Sequence, residues 1–271
     1  MVKPKIGFVV YGVHKDGLQD PMGQPFIDDS VVANAREALQ AAGADLVVED
    51  LVIATRQEAR ACFSKFKKMD DLDALVLFSG TWVWAAHLVP ALRDFSFTGK
   101  GILLWTNPGS QGWRPVGGLV MHGGLKEVGI PHRFVYGGYD DPQTLERILA
   151  YCRASHEKNL LNMSTAGVFG GRGMGQTCGV ADPSQWLKVF GVDIDSRDTT
   201  HLLESSKQVT PDELRQARKE IQPLFSVPIP EGDLADRSIR LYLALQKEIA
   251  KEGWDFYTIQ SFPGLADDYS A

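Results

Sequence analysis

A cluster of glycines at residues 170–175 is the first feature of the sequence that could take part in chemistry. It follows an apolar run, Ala166 to Phe169, so the pattern predicts a strand, a glycine turn and then a helix. Glycine lacks a Cβ, adopts positive φ readily and lets a ligand approach the backbone closely. The spacing matches neither the dinucleotide fingerprint G-x-G-x-x-G nor a P-loop. A nucleotide cradle and an ordinary tight turn are therefore both open interpretations.

The carboxylates after this turn form the nearest approach to a metal site: Asp193, Asp195, Asp198 and Glu204. Two of them, Asp193 and Asp195, share one face of a predicted strand, and a hard cation prefers such oxygen ligands. A strand tip that faces solvent explains the same residues. The histidines are scattered and form no H-x-H or H-E-x-x-H pair, so we expect them to lie on the surface or in packing contacts.

A polar cluster follows the first predicted strand, at His14, Lys15 and Asp16. Loops at the carboxyl ends of parallel strands are where open α/β sheets bind their ligands. These side chains could bind hydroxyl groups or an anion, or they could form a solvated loop.

Two tryptophans, Trp82 and Trp84, lie in the loop 79–87 that follows another predicted strand. An indole ring stacks well on the C–H face of a sugar. We interpret Trp82 as a sugar-stacking residue and predict that Trp84 packs in the core.

A glycine- and proline-bearing segment at residues 107–118 reads as a long loop. Its Arg114 could hydrogen-bond a substrate or a neighbouring subunit, although a structural loop is the favoured interpretation.

The composition is that of an ordinary globular protein: 271 residues, 44% hydrophobic, 23% charged, with a formal net charge of −6. The acidic balance argues against nucleic acid or an anionic membrane as a partner. The apolar runs are strand-sized and residues 1–11 carry no signal-peptide pattern, so we expect a cytoplasmic protein without a transmembrane span. Of the cysteines, Cys62 and Cys152 are expected to be buried, and Cys178 has a functional alternative.

The alternation of strands and helices predicts an α/β fold with two successive doubly wound, mostly parallel-sheet domains of the Rossmann-like kind. The first domain is expected at residues 1–160 and the second at residues 161–271. Predicted strands are 5–11, 45–53, 74–78, 101–105, 133–136, 166–169, 192–195 and 254–260. Predicted helices are 30–42, 55–68, 142–152, 186–190, 211–221 and 233–252.

Essentially the whole chain resembles about the first half of a member of the L-fucose isomerase family, which includes distant arabinose isomerase relatives. The resemblance lies in an apolar strand, the motif Gly-Gly-x-x-Met-Gly from Gly170, an aromatic helix that ends in glycine, and Val-Asp before a polar turn. In the first half, Trp82 occurs in the strand–x–x–Trp–x–aromatic context of the family's sugar site. The resemblance implies that Trp82, Gln260 and Lys15, with His14 beside it, contact the sugar.

The resemblance also implies an aldose–ketose isomerase that works by a metal-dependent enediol mechanism and forms trimers or hexamers. Family members carry a third, β-rich domain, and this domain is absent from the chain. Their manganese ligands, a Glu and an Asp, and a catalytic His follow the glutamine strand. We therefore expect Mn²⁺ or a similar cation to be bound by residues beyond Ala271. The chain would then be an N-terminal part that binds sugar but turns it over little.

Two other functions remain as alternatives. A non-catalytic sugar-binding α/β module would bind sugar without a metal. A nucleotide-dependent enzyme would use the glycine turn at residues 170–175 and should respond to NAD or ATP.

Overall fold

The computed structural model describes residues 3–12, 27–108, 113–171, 180–261 and 265. The predicted site residues His14 and Lys15, together with Asp16 and Cys178, lie outside these ranges. The chain divides into two compact units, Met1–Asn159 and Leu160–Ala271. Among the described helices, none combines the length and the apolar character needed to cross a membrane.

Unit 1 alternates strands and helices throughout. Its elements are β1 (Lys5–Tyr11), α1 (Asp29–Ala41), β2 (Asp45–Val48), α2 (Arg56–Lys67), β3 (Ala74–Ser79), α3 (Ala85–Ser96), β4 (Gly101–Thr106), α4 (Trp113–Glu127), β5 (Arg133–Tyr136) and α5 (Pro142–Leu161). All strand pairs are parallel and the strand order is β2-β1-β3-β4-β5. The predicted α/β fold with a parallel sheet is confirmed.

Helices cover both faces of this sheet. Side chains of α2, α3 and α4 pack with Val9, Leu75 and Leu77 on one face, and side chains of α1 and α5 pack with Phe8 and Val76 on the other. Strands buried on both faces need apolar residues at every position. This requirement explains why the unbroken apolar runs of the sequence predicted β1, β3 and β4 well.

Unit 2 begins again with a strand. Its elements are β6 (Thr165–Phe169), α6 (Pro183–Phe190), β7 (Asp193–Arg197), α7 (Thr199–Lys207), α8 (Pro211–Ile221), a 3₁₀ turn (Gln222–Leu224), α9 (Asp233–Glu252) and β8 (Phe256–Ile259). The three strands are parallel in the order β7-β6-β8. The apolar core forms around Phe169, Leu202, Leu245 and Trp254.

The backbone of unit 2 repeats that of the first three strands of unit 1, although the two sequences show no clear repeat. After the first strand of each unit, Gly12 N donates to Ile53 O (3.0 Å) in unit 1, and Gly170 N donates to Arg197 O (2.9 Å) in unit 2. After the third strand, Gly80 N donates to Tyr11 O (2.9 Å), and Gln260 N donates to Phe169 O (2.9 Å). At the start of the first strand, Lys5 N donates to Asp73 Oδ2 (2.7 Å), and Thr165 N donates to Asp255 Oδ2 (2.8 Å). Gln260 therefore occupies in unit 2 the position that Gly80 has in unit 1.

The structure corrects the predicted elements in four places. Strand β2 ends at Val48 instead of residue 53, and a single bridge joins Tyr11 to Ile53 beyond it. Helices α3 and α7 stand where the sequence predicted an aromatic loop and a polar turn. Helix α4 begins at Trp113, inside the predicted loop 107–118. Its glycines lower helix propensity, and tertiary packing overrides that local preference.

Candidate functional site

Both units place a topological switch point at the carboxyl edge of the sheet. In unit 1 the chain moves from β1 outward to β2 and then crosses to β3 on the other side of β1. In unit 2 it moves from β6 to β7 and then crosses to β8. Open α/β sheets bind ligands in the crevice where the connections diverge in this way. The residues at the ends of β1, β3, β6 and β8 therefore form the candidate ligand-binding edges of the two sheets.

Gln260 and the glycine turn meet at the switch point of unit 2. The backbone N–H of Gly171 donates to Gln260 Oε1 at 2.7 Å. Gly170 has a φ of 82°, and a Cβ there would lie 2.8 Å from the Gln260 Cβ. The position thus requires glycine on two grounds, because an L side chain would be strained and crowded. The Gln260 side chain therefore holds the start of the glycine turn, at Gly170 and Gly171, through this hydrogen bond.

Two of the candidate carboxylates, Asp195 and Asp198, are already committed to protein partners. Asp195 accepts from Arg197 Nη2 at 2.9 Å and from Trp254 Nε1 at 3.0 Å, and the hydrogen bond from Arg197 lowers the pKa of the Asp195 carboxyl. Asp198 caps α7 and accepts from Thr200 N at 2.8 Å, and the Thr200 bonds lower its pKa. Arg197 also pairs with Glu252 at 2.9 Å.

These commitments do not fit a manganese site. A divalent ion would have to displace an arginine, a tryptophan N–H or a helix cap to reach Asp195 or Asp198. Within the described parts of the chain, no group of three or more His, Cys, Asp or Glu side chains could hold a metal.

The aromatic pair lies just beyond the end of β3 in unit 1. The Trp82 and Trp84 rings contact edge to face, with centroids 4.4 Å apart and planes at 66°. Trp84 is 60% exposed, so the prediction that it packs in the core is wrong. Side chains of an extended segment alternate in direction. Val83, which lies between the two tryptophans in the sequence, is accordingly the buried residue of the three. The pair presents an aromatic surface to solvent.

The start of α3 is fixed against the β2–α2 connection behind this pair. His87 Nδ1 lies 2.8 Å from Ala54 O, and Arg56 Nε donates to Ala86 O at 3.4 Å. Helix α4 packs on α3 as well, because a Cβ at Gly124 would lie 3.0 Å from the Ala85 Cβ. These contacts fix the connection between β3 and α3, which bears the two tryptophans.

An apolar groove in unit 2 is a different kind of surface. It has a volume of about 480 Å³ and is lined by residues of the segment 221–230 and of α9, among them Phe225, Ile239 and Tyr242. Its lining is almost entirely apolar, so it offers little to a polyhydroxylated ligand.

The structure also brings together two histidines that lie ten residues apart in the sequence. His122 Nδ1 lies 2.7 Å from His132 Nε2, and His132 Nδ1 lies 2.7 Å from Ile130 O. A carbonyl only accepts, so His132 Nδ1 carries a proton and its Nε2 accepts from His122. His122 also stacks on Phe134, with centroids 4.9 Å apart. Burial, together with the charges of His132 and Lys126, lowers the pKa of His122.

We expect this pair to make unit 1 less stable in acid. The folded pKa of His122 lies below the unfolded value of about 6.5, so the unfolded chain binds the proton more readily. The free energy of unfolding should be highest above about pH 6.5 and should fall as the pH drops towards the folded pKa. Urea unfolding measured from about pH 7.5 to about pH 5 checks this, with His122→Phe expected to flatten the slope. An identical slope in both proteins would contradict the assignment.

The comparisons with known proteins do not assign the chain to a family. No protein-family model matches the chain. The search of curated proteins finds no match either. The likeness to L-fucose isomerases therefore remains a prediction from the residues quoted above.

Proposed function

We propose that the chain binds a small sugar and forms the N-terminal part of an aldose–ketose isomerase similar to L-fucose isomerases. The observation that carries the sugar-binding part is the aromatic pair. Trp84 and Trp82 present indole rings at the strand edge where α/β sheets bind ligands, and one of them is 60% exposed. An exposed indole at such a place suits the C–H face of a sugar ring.

The isomerase part depends on a bound metal, and the described residues offer no group of three or more ligands for one. Moving a proton between C1 and C2 needs a base, and a divalent metal stabilises the charge that develops on O1 and O2. The carboxylates of Asp195 and Asp198 are held by Arg197, Trp254 and the start of α7. The proposal therefore assigns the Mn²⁺ ligands and the base to residues beyond Ala271, with Gln260 contacting sugar as the resemblance implies. A homo-oligomer, trimer or hexamer, belongs to the same proposal.

Calorimetric titration of the chain with L-fucose and L-arabinose, with and without Mn²⁺, tests this function. We expect saturable binding of at least one aldose that does not require the metal, and negligible formation of ketose. Absence of binding of any aldose would overturn the sugar-binding proposal. Fast manganese-dependent isomerisation by residues 1–271 would overturn the assignment of the metal ligands.

A non-catalytic sugar-binding module is the second candidate. It is favoured by the aromatic pair, because both rings belong to unit 1 and contact each other directly, while Val83 between them in sequence is buried. The intact mass of the natural product separates the two candidates. A mass near the 29.8 kDa of this chain supports the module, and a mass nearly twice as large supports the isomerase.

A nucleotide-dependent enzyme is the weakest candidate. The Gly171 N–H, which a phosphate would need, already donates to Gln260 Oε1 at 2.7 Å. A saturable thermal shift with NAD or ATP would revive this function.

A further inference from the structure

Arg114 crosses the switch-point crevice of unit 1 from one helical layer to the other. It lies in the first turn of α4, whose Met121 and Leu125 pack on one face of the sheet. Its Nη2 lies 3.6 Å from Oδ2 of Asp28. Asp28 is the N-cap of α1, and α1 packs on the opposite face. The guanidinium therefore lies across the carboxyl edge of the sheet.

The backbone around Arg114 is locked onto the end of β3. Ser79 Oγ donates to Arg114 O at 2.9 Å in a buried hydrogen bond. One turn further on, a Cβ at Gly117 would overlap Thr81 O and lie 2.9 Å from Ser79 Oγ. Gly80, between these two contacts, donates to Tyr11 O at the end of β1. These contacts place Arg114 at the β1/β3 switch point, on the strand end that leads into Trp82.

The Arg114 side chain is largely buried, but its guanidinium makes no hydrogen bond to the residues that the structure describes. Arg114 is only 7% exposed, and an arginine carries five N–H donors. Among the residues that the structure describes, its polar neighbour is Asp28, and their separation of 3.6 Å is too long for a hydrogen bond. The Arg114 nitrogens are not among the described side-chain atoms that are fully buried without a partner, so they reach the solvent and are open to hydrogen-bond partners. A ligand in the crevice would supply them.

Asp28 has one oxygen turned towards the same place. Its Oδ1 takes the cap contacts, from Ser30 N at 3.1 Å, Ser30 Oγ at 2.6 Å and Val31 N at 3.4 Å. Its Oδ2 faces the guanidinium. Donors from Arg114 thus lie beside an acceptor from Asp28, and the two charges balance.

We propose that Arg114 and Asp28 bind two adjacent hydroxyl groups of a sugar or polyol at the switch point of unit 1. One hydroxyl oxygen accepts from the guanidinium, and its neighbour donates to Asp28 Oδ2. An anion fits less well because the Asp28 carboxylate would repel it. This inference rests on the proposed sugar-binding function and adds the polar half of the recognition to it.

The test compares two variants of the pair with a matched control. Asp28→Asn removes the charge but keeps a good N-cap, since asparagine caps helices as well as aspartate. Arg114→Met removes the donors and keeps an apolar stem of similar length. Asp182→Asn makes the same exchange at the cap of α6 in unit 2. The dissociation constants of L-fucose and L-arabinose are measured by calorimetry, together with that of inorganic phosphate and the thermal midpoint of each protein.

We expect Asp28→Asn and Arg114→Met to weaken aldose binding about 10- to 100-fold, the loss typical of hydrogen bonds to charged groups. Asp182→Asn should leave it unchanged. A purely structural ion pair would lower the thermal midpoint and leave the dissociation constant alone, which would overturn the inference. Phosphate binding that Asp28→Asn strengthens would overturn it in favour of an anion site. Aldose binding that depends on Trp84 but not on Arg114 would overturn this inference alone, whereas no aldose binding would overturn the proposed function too.

Discussion

Replacing Gly118 with alanine is expected to destabilise unit 1 strongly, although the change adds a single methyl group to a helix. A Cβ at this position would overlap the Thr106 hydroxyl and lie 3.3 Å from the Phe134 ring. Thr106 is fully buried at the end of β4. To relieve the overlap, the buried Thr106 side chain must change rotamer or helix α4 must move away from the sheet. Overpacking of this kind costs about 1–3 kcal/mol, to be measured as the free energy of unfolding in urea.

Two further variants make this prediction specific. Gly123→Ala lies on the same helix, where a Cβ meets no atom within 4 Å, so it should stabilise the protein by about 1 kcal/mol through helix propensity alone. Thr106→Ala removes the obstructing hydroxyl, a buried group for which the described residues provide no partner. The double variant Gly118→Ala/Thr106→Ala should therefore recover much of the loss. Equal effects of Gly118→Ala and Gly123→Ala would contradict the packing account.

Replacing Trp84 with alanine should reduce aldose affinity about tenfold while leaving stability nearly unchanged. The ring is 60% exposed, so its removal costs little packing, and surface substitutions usually change stability by less than about 0.5 kcal/mol. The loss of affinity corresponds to about 1.4 kcal/mol, the size expected for one aromatic stacking contact. Calorimetric titration with the aldose that binds best measures it.

The matched control for Trp84 is Phe97→Ala. Phe97 is 71% exposed and lies at the other end of the same helix. Its removal should not change aldose affinity. Trp84→Phe keeps a smaller ring and should have an intermediate effect. Equal losses in Trp84→Ala and Phe97→Ala would show that exposed aromatic area, and not this site, binds the sugar.

Local patterns of the sequence were sufficient to predict most elements of the fold. Strands such as β1 are buried along nearly their whole length, and a buried parallel strand leaves an unbroken apolar run in the sequence. Helix starts were visible where a cap residue is followed by a partner three residues later. Thr55 with Glu58 and Thr210 with Glu213 form complete capping boxes of this kind.

Helix α4 was missed because the reason for its glycines lies elsewhere in the chain. Gly117 and Gly118 allow close contact with Thr81 and Thr106, and neither partner can be inferred from the local pattern. The sequence shows only glycines and a proline, which are typical of a loop.

The candidate site was predictable in part. The loop after β3 and its tryptophans follow from the strand pattern, but the exposure of Trp84 depends on α3 beginning at Ala85. The bond between Gly171 and Gln260 joins residues 89 positions apart. The crossing of Arg114 to Asp28 likewise depends on two helices that meet only in the folded sheet. No local signal marks these contacts.

Fluorine NMR of the chain labelled with 5-fluorotryptophan tests the central claim most directly. The protein has six tryptophans, and Trp82→Phe and Trp84→Phe identify the two resonances that belong to the aromatic pair. On titration with L-fucose or L-arabinose, we expect these two resonances to shift in a saturable way, while that of Trp254, buried in unit 2, stays in place. If the aldose moves the Trp254 resonance and leaves Trp82 and Trp84 unchanged, or moves none of them, the sugar site is not at the carboxyl edge of unit 1.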